Sequence, residues 1–349
     1  MKKIAIVSPS GKFYGSEQVL FDFLSATRHQ YIVYLSHGLF YDKIRGQNKH
    51  CPHSYSSVKF LYIRLMFMLL FNKYDGIYIN EGGHIKYLNL LADLFPRKRF
   101  FVHIRLLEDC HVHRLGKRRN NISYISVSEY ITHEVMQNTH IQCRILYDIY
   151  QPISGFDEIR DMKPETICRL GIIGRVTTTK GLHDISRFCE YCEKHVTPFQ
   201  LEFHFYGDID GQISGVRSFI ERTNSYKQIK CVFHGFVKDK IQIYQSIDIL
   251  LHFNKVEPLG RILMEALDFG IPFIGFQSGG IGELARNFSV AEYMITDHSN
   301  WENAFQNQII NLITNKEKTI ECFYNAKKKM KALCSPATYT QKIEELFNE

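Results

Sequence analysis

Two glutamates, Glu257 and Glu265, lie at the two ends of a segment that comprises a loop and the beginning of a helix. Their spacing brings the two carboxylates to one side of a cleft. The segment runs from Glu257 through Pro258 and Gly260 to Arg261 and Glu265. Pro258 fits the first turn of a helix, and the interval between the glutamates is slightly over two helical turns. Glu265 shares a face with apolar residues, where a carboxylate without a hydroxyl or cation partner is costly. We therefore expect a ligand at this loop.

A second loop carries two cations directly after a short apolar run. Arg175 and Lys180 lie within residues 174–182, behind the run Leu170–Ile173. A guanidinium acts as a bidentate fork and an ammonium as a point charge, so the two can converge on one diphosphate. Charged residues after a strand are common, and an ordinary surface loop is the alternative.

Two glycine-containing loops add backbone amides. Residues 8–17 lead into a helix and include Gly11 and Gly15, which allow close approach of an anion to a helix N-terminus. The alternative is a plain strand-to-helix turn. Residues 278–283 repeat the pattern behind a later apolar run and are expected at the same rim as Glu257.

Short apolar runs that alternate with amphipathic stretches position these loops, and this alternation predicts repeated βαβ units around parallel sheets. The predicted strands are Lys3–Ser8, Tyr31–Leu35, Gly76–Asn80, Arg99–His103, Tyr124–Val127, Cys168–Gly174, Glu202–Tyr206, Lys230–His234, Ile249–Phe253 and Pro272–Phe276. A polar joint at Asp148–Glu165 separates two doubly wound α/β domains, residues 1–160 and 161–335. Residues 336–349 form a helix that is expected to cross back to the first domain.

Composition limits the class of protein. The chain has 349 residues, 45% hydrophobic and 23% charged, which exceeds the apolar content of a disordered chain. Residues 1–160 hold 21 Lys+Arg against 13 Asp+Glu, a charge of +8, and 161–349 hold 22 against 23, a charge of −1. Nine scattered cysteines indicate free thiols, and no apolar run of about 18 residues predicts a transmembrane helix. We expect a cytoplasmic protein.

Taken together, the loops resemble glycosyltransferase family 4, whose members have two GT-B domains. The resemblance spans most of the chain and is strongest over residues 168–284. Its matching motifs are Gly15-Ser16-Glu17, Ser126–Glu129, Gly174-Arg175, Lys180-Gly181, Tyr206–Asp208, His234–Phe236, Glu257–Arg261, Glu265-Ala266 and Gly270–Pro272. Where the family usually has a Pro-Ser pair before the first glutamate, this chain has Asn254-Lys255-Val256.

The resemblance implies a fold of two Rossmann-like domains facing a central cleft and a retaining transfer of a sugar from a nucleotide donor to a hydroxyl. Arg175 and Lys180 would hold the donor diphosphate, Glu257 would face hydroxyls of the donor sugar, and Glu265 would bind the ribose. The remaining donor contacts would come from Gly15, Gly174, Phe236, Val237, Leu259, Gly260 and Arg261, with Phe236 and Val237 at the base. His103 would lie against the transferred sugar.

The implied chemistry needs no cofactor and no metal ion, because fixed cations would offset the charge that grows on the leaving group. The expected donor is a UDP-sugar rather than a GDP-sugar, and the expected activity is that of a hexosyltransferase. Two alternatives remain open. One is a nucleotide-sugar epimerase or hydrolase on the same fold, and the other is a catalytically silent GT-B scaffold subunit.

The basic first domain is expected to choose the acceptor, a glycan or a lipid-linked glycan in the synthesis of a bacterial surface polysaccharide. Glu81, Arg105 and Glu108 are candidate acceptor contacts. Residues 58–71 are apolar nearly all round, which favours a buried helix over an interfacial one. The clusters at 97–99 and 117–119, with the charge of +8, nevertheless predict peripheral attachment to the anionic inner face of the plasma membrane. No nucleic-acid-binding motif occurs, and nucleic acid is not expected as a partner.

Overall fold

The computed structural model describes residues 2–159, 166–209 and 214–349, with the backbone alone at residue 214. The chain forms two compact units, Met1–Gln151 with Ala332–Glu349, and Pro152–Lys331. The sequence-based boundary between residues 160 and 161 lies outside the described residues. At the C-terminal side the units change over at residue 332, where the sequence places the change at residue 336. The nine cysteines are free thiols, as their scattered placement predicts.

The first unit is built on a parallel sheet with the strand order β3-β2-β1-β4-β5-β6-β7. The order reverses between β1 and β4, which makes the loops after these two strands neighbours at the sheet edge. Its elements are β1 Ile4–Ser8, α1 Gly15–Ala26, β2 Ile32–Ser36, α2 Leu39–Gly46, β3 Cys51–Tyr55, α3 Val58–Leu70, β4 Gly76–Ile79, α4 Ile85–Leu94, β5 Arg99–Ile104, α5 Val112–Leu115, β6 Ile122–Ser126, α6 Glu129–Thr139 and β7 Arg144–Ile145.

The second unit repeats this design with the strand order β10-β9-β8-β11-β12-β13. Here the order reverses between β8 and β11, which pair in parallel. The elements are β8 Ile167–Ile173, α7 Leu182–Lys194, β9 Gln200–Tyr206, α8 Ser214–Thr223, β10 Ile229–Gly235, α9 Lys240–Gln245, β11 Ile249–His252, α10 Arg261–Asp268, β12 Phe273–Phe276, α11 Gly279–Asn287, β13 Met294–Ile295, α12 Trp301–Thr314 and α13 Lys316–Leu333.

The last helix, α14 Pro336–Asn348, packs within the first unit. Its buried face joins the core of β1, β2 and α1, with Phe347 against the rings of Tyr78 and Phe101. In the second unit an aromatic cluster around Phe253, Trp301 and Phe305 joins the sheet to its covering helices. Burial of such rings is the main favourable term that holds each sheet to its helices.

Helix α3 is buried on one side only, so the expectation that residues 58–71 form a buried helix is wrong for its other side. Leu61, Leu65 and Leu69 are buried, whereas Phe60 and Phe67 on the opposite face are 74% and 49% exposed. The composition of a helix reports its mean apolarity, but only the position of the sheet decides which face is covered. Within the described residues, no helix has both the length and the apolar composition to cross a bilayer.

Candidate functional site

Three glycines end the adjacent strands β8, β9 and β10 and bring their loops into close contact. Gly174, Gly207 and Gly235 all have positive φ angles, of 135°, 152° and 68°. The Gly174 N–H donates to the Tyr206 carbonyl at 2.8 Å, and the Gly207 N–H donates to the Gly235 carbonyl at 2.8 Å. A Cβ on Gly207 would overlap the carbonyl group of Gly174. Glycine is therefore required for this packing of the strand ends.

A cavity of about 140 Å³ opens at the point where the strand order of the second unit reverses. Its lining includes Gly174, Arg175, Lys180, Glu257 and Arg261 from the loops that follow β8 and β11. The structure thus brings together five of the residues singled out from the sequence. Crevices at such switch points are where open α/β sheets bind ligands.

Lys180 of the first loop and Glu257 of the second form an ion pair. Lys180 Nζ lies 3.1 Å from Glu257 Oε2, and the Asn254 side-chain amide donates to the same oxygen at 2.7 Å. Gly181 allows this approach, because its φ is +83° and a Cβ would lie 2.7 Å from the Phe253 carbonyl oxygen. Asn254 replaces the usual Pro-Ser pair and supplies a hydrogen bond to the glutamate, which sequence reasoning missed.

The charge state of Glu257 follows from its neighbours. Burial by itself raises the pKa of this carboxyl, but Lys180, His252 and Asn254 together lower the pKa below its ordinary value. Arg175 is exposed, and its guanidinium has no hydrogen bond or ion pair within the described part of the chain. The site therefore combines an ionised carboxylate, a paired ammonium and a guanidinium that is open to an anionic ligand.

His252 is a second residue that the sequence analysis missed. It ends β11, lines the cavity and is buried, and its Nε2 has no hydrogen-bond partner among the described residues. Burial lowers the pKa of His252 to about 4, with Glu257 opposing this shift and Lys180 adding to it. The imidazole is therefore neutral at pH 7. The available signal was a histidine at the end of an otherwise apolar strand, in the position just before the glutamate loop.

This histidine makes stability depend on pH. Because the pKa of His252 is lower in the folded chain than the ordinary value near 6.5, its stabilising contribution is complete above that value and is lost as the pH falls towards 4. Replacing His252 by leucine is expected to reduce the loss of unfolding free energy between these pH values by on the order of 1–3 kcal/mol. Urea unfolding at several pH values measures this change in unfolding free energy. His183→Leu, at an exposed position of the same unit, controls for the substitution. Parallel pH curves for wild type and His252→Leu would contradict this prediction.

Glu265 lies one turn into α10 and already has two partners. Lys240 Nζ lies 2.6 Å from Oε1, and the Tyr244 hydroxyl donates to Oε2 at 3.2 Å. The expectation that this carboxylate depends on a ligand for a partner is wrong, since α9 supplies both a cation and a hydroxyl. Lys240 is about half exposed, and a flexible, exposed ammonium can be displaced at low cost when hydroxyls bind.

The other predicted donor contacts lie on the same unit. Phe236 is 71% exposed and Val237 is half-buried, both directly after β10. Leu259 is buried, and Gly260, the N-cap residue directly before α10, has a φ of +93°, where a Cβ would lie 2.8 Å from the Ile281 Cβ. These positions leave the Phe236 ring accessible to a planar ligand and fix the loop between Glu257 and α10.

In the first unit, three predicted residues lie at loops beyond strand ends. Gly15 is exposed and begins α1, where the Tyr14 N–H is capped by Glu17 Oε2 at 3.0 Å. The helix N-terminus therefore carries a carboxylate of its own. Glu81 follows β4, and burial is the main cause that raises the pKa of its carboxyl. Glu108 is exposed beyond β5.

His103 and Arg105, in contrast, lie inside the first unit. His103 is 0% exposed, and its Nδ1 lies 2.8 Å from the Tyr78 hydroxyl. Arg105 is buried, forms an ion pair with Asp148 and donates from Nε to the Asn80 carbonyl at 3.0 Å. The expectation of accessible groups at these two positions therefore does not match the structure. A histidine or an arginine at a strand end gives the same sequence pattern whether the folded chain buries or exposes its side chain.

Comparison with solved structures defines the class of this fold. The chain resembles HepE of Anabaena in complex with UDP and glucose, with a TM-score of 0.75, 20% identity and 100% of both chains covered. A glycosyltransferase from Rickettsia africae gives a TM-score of 0.76 at 14% identity, with 99% of this chain and 98% of that chain covered. These matches confirm the predicted α/β, two-domain GT-B fold.

The match to a family model lies within the second unit. Residues 160–329 match the family model of glycosyl transferases group 1. An uncharacterized 42.6 kDa protein in the cps region of Klebsiella pneumoniae is 28% identical over 173 residues. That match spans 49% of this chain and 42% of the relative's length. The family match is thus confined to residues 160–329, whereas the likeness in fold to the GT-B neighbours extends over the whole chain.

Proposed function

We propose that this protein is a retaining glycosyltransferase of family 4 that moves a hexose from a nucleotide sugar to a hydroxyl of a glycan or lipid-linked glycan. The observation that carries the proposal is the cavity in which Arg175, Lys180 and Glu257 meet at the strand-order reversal. Two cations beside a carboxylate suit a ligand that joins a diphosphate to a polyhydroxyl ring.

The proposed donor is a UDP-sugar, and the proposed product is a bacterial surface polysaccharide. HepE, which has the same fold, has been solved with UDP and glucose, and the Klebsiella relative lies in a cps region. Glu265 would accept hydrogen bonds from the ribose hydroxyls in exchange for Lys240, and Phe236 would offer its exposed ring to the base. We place the acceptor at the anionic inner face of the plasma membrane, in line with the charge of the first half of the chain.

The proposed reaction breaks the bond between the sugar C1 and the diphosphate oxygen, and the electron pair stays on the leaving diphosphate. The acceptor oxygen bonds to C1 on the same face, and its proton passes to a donor phosphate oxygen. Arg175 and Lys180 would stabilise the growing negative charge, so that the transfer needs neither a metal ion nor a cofactor. Glu257 would orient the sugar hydroxyls.

Nucleotide binding tests the proposal. Thermal unfolding is followed with UDP, GDP, ADP and CMP and with their common sugar conjugates, and we expect UDP and a UDP-sugar to raise the midpoint. A ligand at ~100 times its Kd adds about 2.7 kcal/mol, equivalent to roughly 5–10 °C for a domain of this size. Glu265→Ala is expected to abolish the shift, because it removes the ribose contact.

Glu317→Ala, at an exposed position of α13 in the same unit, is the matched control and is expected to keep the shift. A midpoint that none of these ligands moves would favour the scaffold alternative and overturn the proposal. Product analysis separates the other alternative, because an isomerised donor marks an epimerase and released free sugar alone marks a hydrolase.

A further inference from the structure

One face of α3 is apolar, exposed and continuous. Its side chains recur every three or four residues, so they form a single stripe along the helix. They are 46% to 74% exposed, whereas the opposite face is buried, with β3 and α4 packed against the helix. The stripe comprises Phe60, Ile63, Phe67 and Leu70 of α3 and Phe71, the C-cap residue directly after the helix. Isolated exposed apolar residues are ordinary, but five large ones on one helix face mark an interaction surface.

A basic depression begins where the stripe ends. Its volume is about 570 Å³, and it is lined by Lys2, Arg97, Lys98 and Arg99, with Asn72, Asp75 and Asn348. Asn72 directly follows Phe71, the last residue of the stripe. Lys98 Nζ donates to Asn72 Oδ1 at 3.0 Å and to the Tyr74 carbonyl at 2.8 Å, which fixes one cation beside the end of α3.

The depression also contains one carboxylate among its lining residues, and this carboxylate accepts a backbone hydrogen bond. Asp75 Oδ2 accepts a hydrogen bond from the Lys3 backbone N–H at 2.8 Å. Arg97 and Arg99 are exposed, and together with Lys2 and Lys98 they outnumber the nearby carboxylates, which are Asp75 in the lining and Glu349 beside Arg99 and Lys2. Lys59, Arg64 and Lys73 are also exposed and lie on or just beyond α3, so that the apolar stripe is flanked by cations at both ends.

We propose that this surface docks on an anionic phospholipid bilayer. The α3 stripe enters the boundary between head groups and acyl chains, and the basic depression receives a lipid phosphate. An apolar helix face flanked by lysine and arginine is the arrangement by which a helix lies in a membrane interface. The cations add attraction to anionic lipids over distances of about a Debye length.

This inference rests on the proposed function only for its purpose, which is to hold the acceptor half of the enzyme at a lipid-linked acceptor. The docking surface lies entirely in the first unit, whereas the candidate donor cavity lies entirely in the second. Binding of vesicles and binding of nucleotides are therefore separate readouts. Failure of one does not imply failure of the other.

Vesicle sedimentation tests the docking surface. The full chain is expected to sediment with phosphatidylcholine vesicles that contain phosphatidylglycerol, and to stay in solution with pure phosphatidylcholine. Raising the salt from 0.1 to 0.5 M should weaken the binding. The double variants Phe60→Ser with Phe67→Ser, and Arg97→Ser with Arg99→Ser, are each expected to lose about ten-fold in vesicle affinity.

Val196→Ser, an 83% exposed apolar residue of the second unit, is the matched control and should bind vesicles like the wild type. All substituted side chains are exposed, and an unchanged thermal midpoint verifies that the variants fold. Equal sedimentation with neutral and anionic vesicles, or wild-type binding by both double variants, would overturn the proposal. A concentration-dependent dimer that Phe60→Ser with Phe67→Ser dissolves would instead assign the stripe to a second copy of the chain.

Discussion

Replacing Arg175 by alanine is expected to slow sugar transfer by about 10²–10³-fold while leaving the fold intact. The guanidinium is exposed and has no ion pair within the described residues, so its removal breaks no structural contact. In the proposed reaction it faces the diphosphate, where negative charge grows as the sugar leaves. A fixed cation at such a position stabilises the transition state by ~3–4 kcal/mol.

Lys180→Ala is expected to reduce the rate by about the same factor and to change the pH dependence as well. Lys180 is the cation that lies 3.1 Å from Glu257 and helps to keep the pKa of that carboxyl low. Without the ammonium the pKa of Glu257 rises, because burial then has less opposition. The acidic limb of the pH–rate profile should therefore move to higher pH in this variant.

Both rates are measured with the nucleotide sugar that raises the unfolding midpoint, in EDTA and again with manganese. Lys194→Ala, at the exposed end of α7, is the matched control and should transfer sugar at the wild-type rate. Full activity of Arg175→Ala and Lys180→Ala would contradict the assignment of the diphosphate site. Loss of wild-type activity in EDTA with recovery in manganese would contradict the metal-independent reaction.

Gly280→Ala is expected to lower the rate of transfer by about 10²-fold through the position of Glu257. Gly280 is the second residue of α11, and its N–H donates to the Glu257 carbonyl at 2.8 Å. An alanine Cβ would overlap the Pro258 carbonyl oxygen and lie 2.5 Å from the Leu259 Cα. Backbone atoms cannot rotate away as a side chain can, so the loop that carries Glu257 must move. The same overlap is expected to cost about 1–3 kcal/mol of stability.

Gly215→Ala is the matched control for this prediction. No heavy atom lies within 4 Å of a Cβ added there, among the residues that the structure describes. Alanine in α8 is expected to be neutral or to stabilise the protein by up to about 1 kcal/mol, with the transfer rate unchanged. Thermal unfolding and steady-state kinetics of the two variants measure both effects. A Gly280→Ala variant with wild-type kinetics would show that the loop tolerates the shift.

Sequence patterns alone predict the fold class and the residues that meet in the candidate cavity. Apolar runs of strand length that alternate with amphipathic stretches indicate parallel sheets, because buried strands and their covering helices leave these two periods in the sequence. The candidate site is formed by Gly174–Lys180 and Glu257–Arg261, and each of these is a local segment behind a strand. Strand ends meet at one edge of a parallel sheet, so local motifs were enough to predict their convergence.

Strands with little apolar content were not predicted from the sequence. β3, with the sequence Cys51-Pro52-His53-Ser54-Tyr55, lies at the sheet edge and pairs only with β2 among the described strands. A polar edge strand that contains proline has no buried period to detect. The two-residue strands β7 and β13 are too short to leave any pattern.

The side-chain contacts of the candidate site follow from packing and not from the sequence pattern. Asn254 and His252 act on Glu257 through geometry that no spacing encodes, and Lys240 reaches Glu265 from a different helix. The burial of His103, like the exposure of one face of α3, depends on which neighbouring elements cover these side chains. Local sequence sets which segments become strands and helices. Packing then decides which polar groups find partners and which apolar ones stay in water, because burial is a property of the assembled layers.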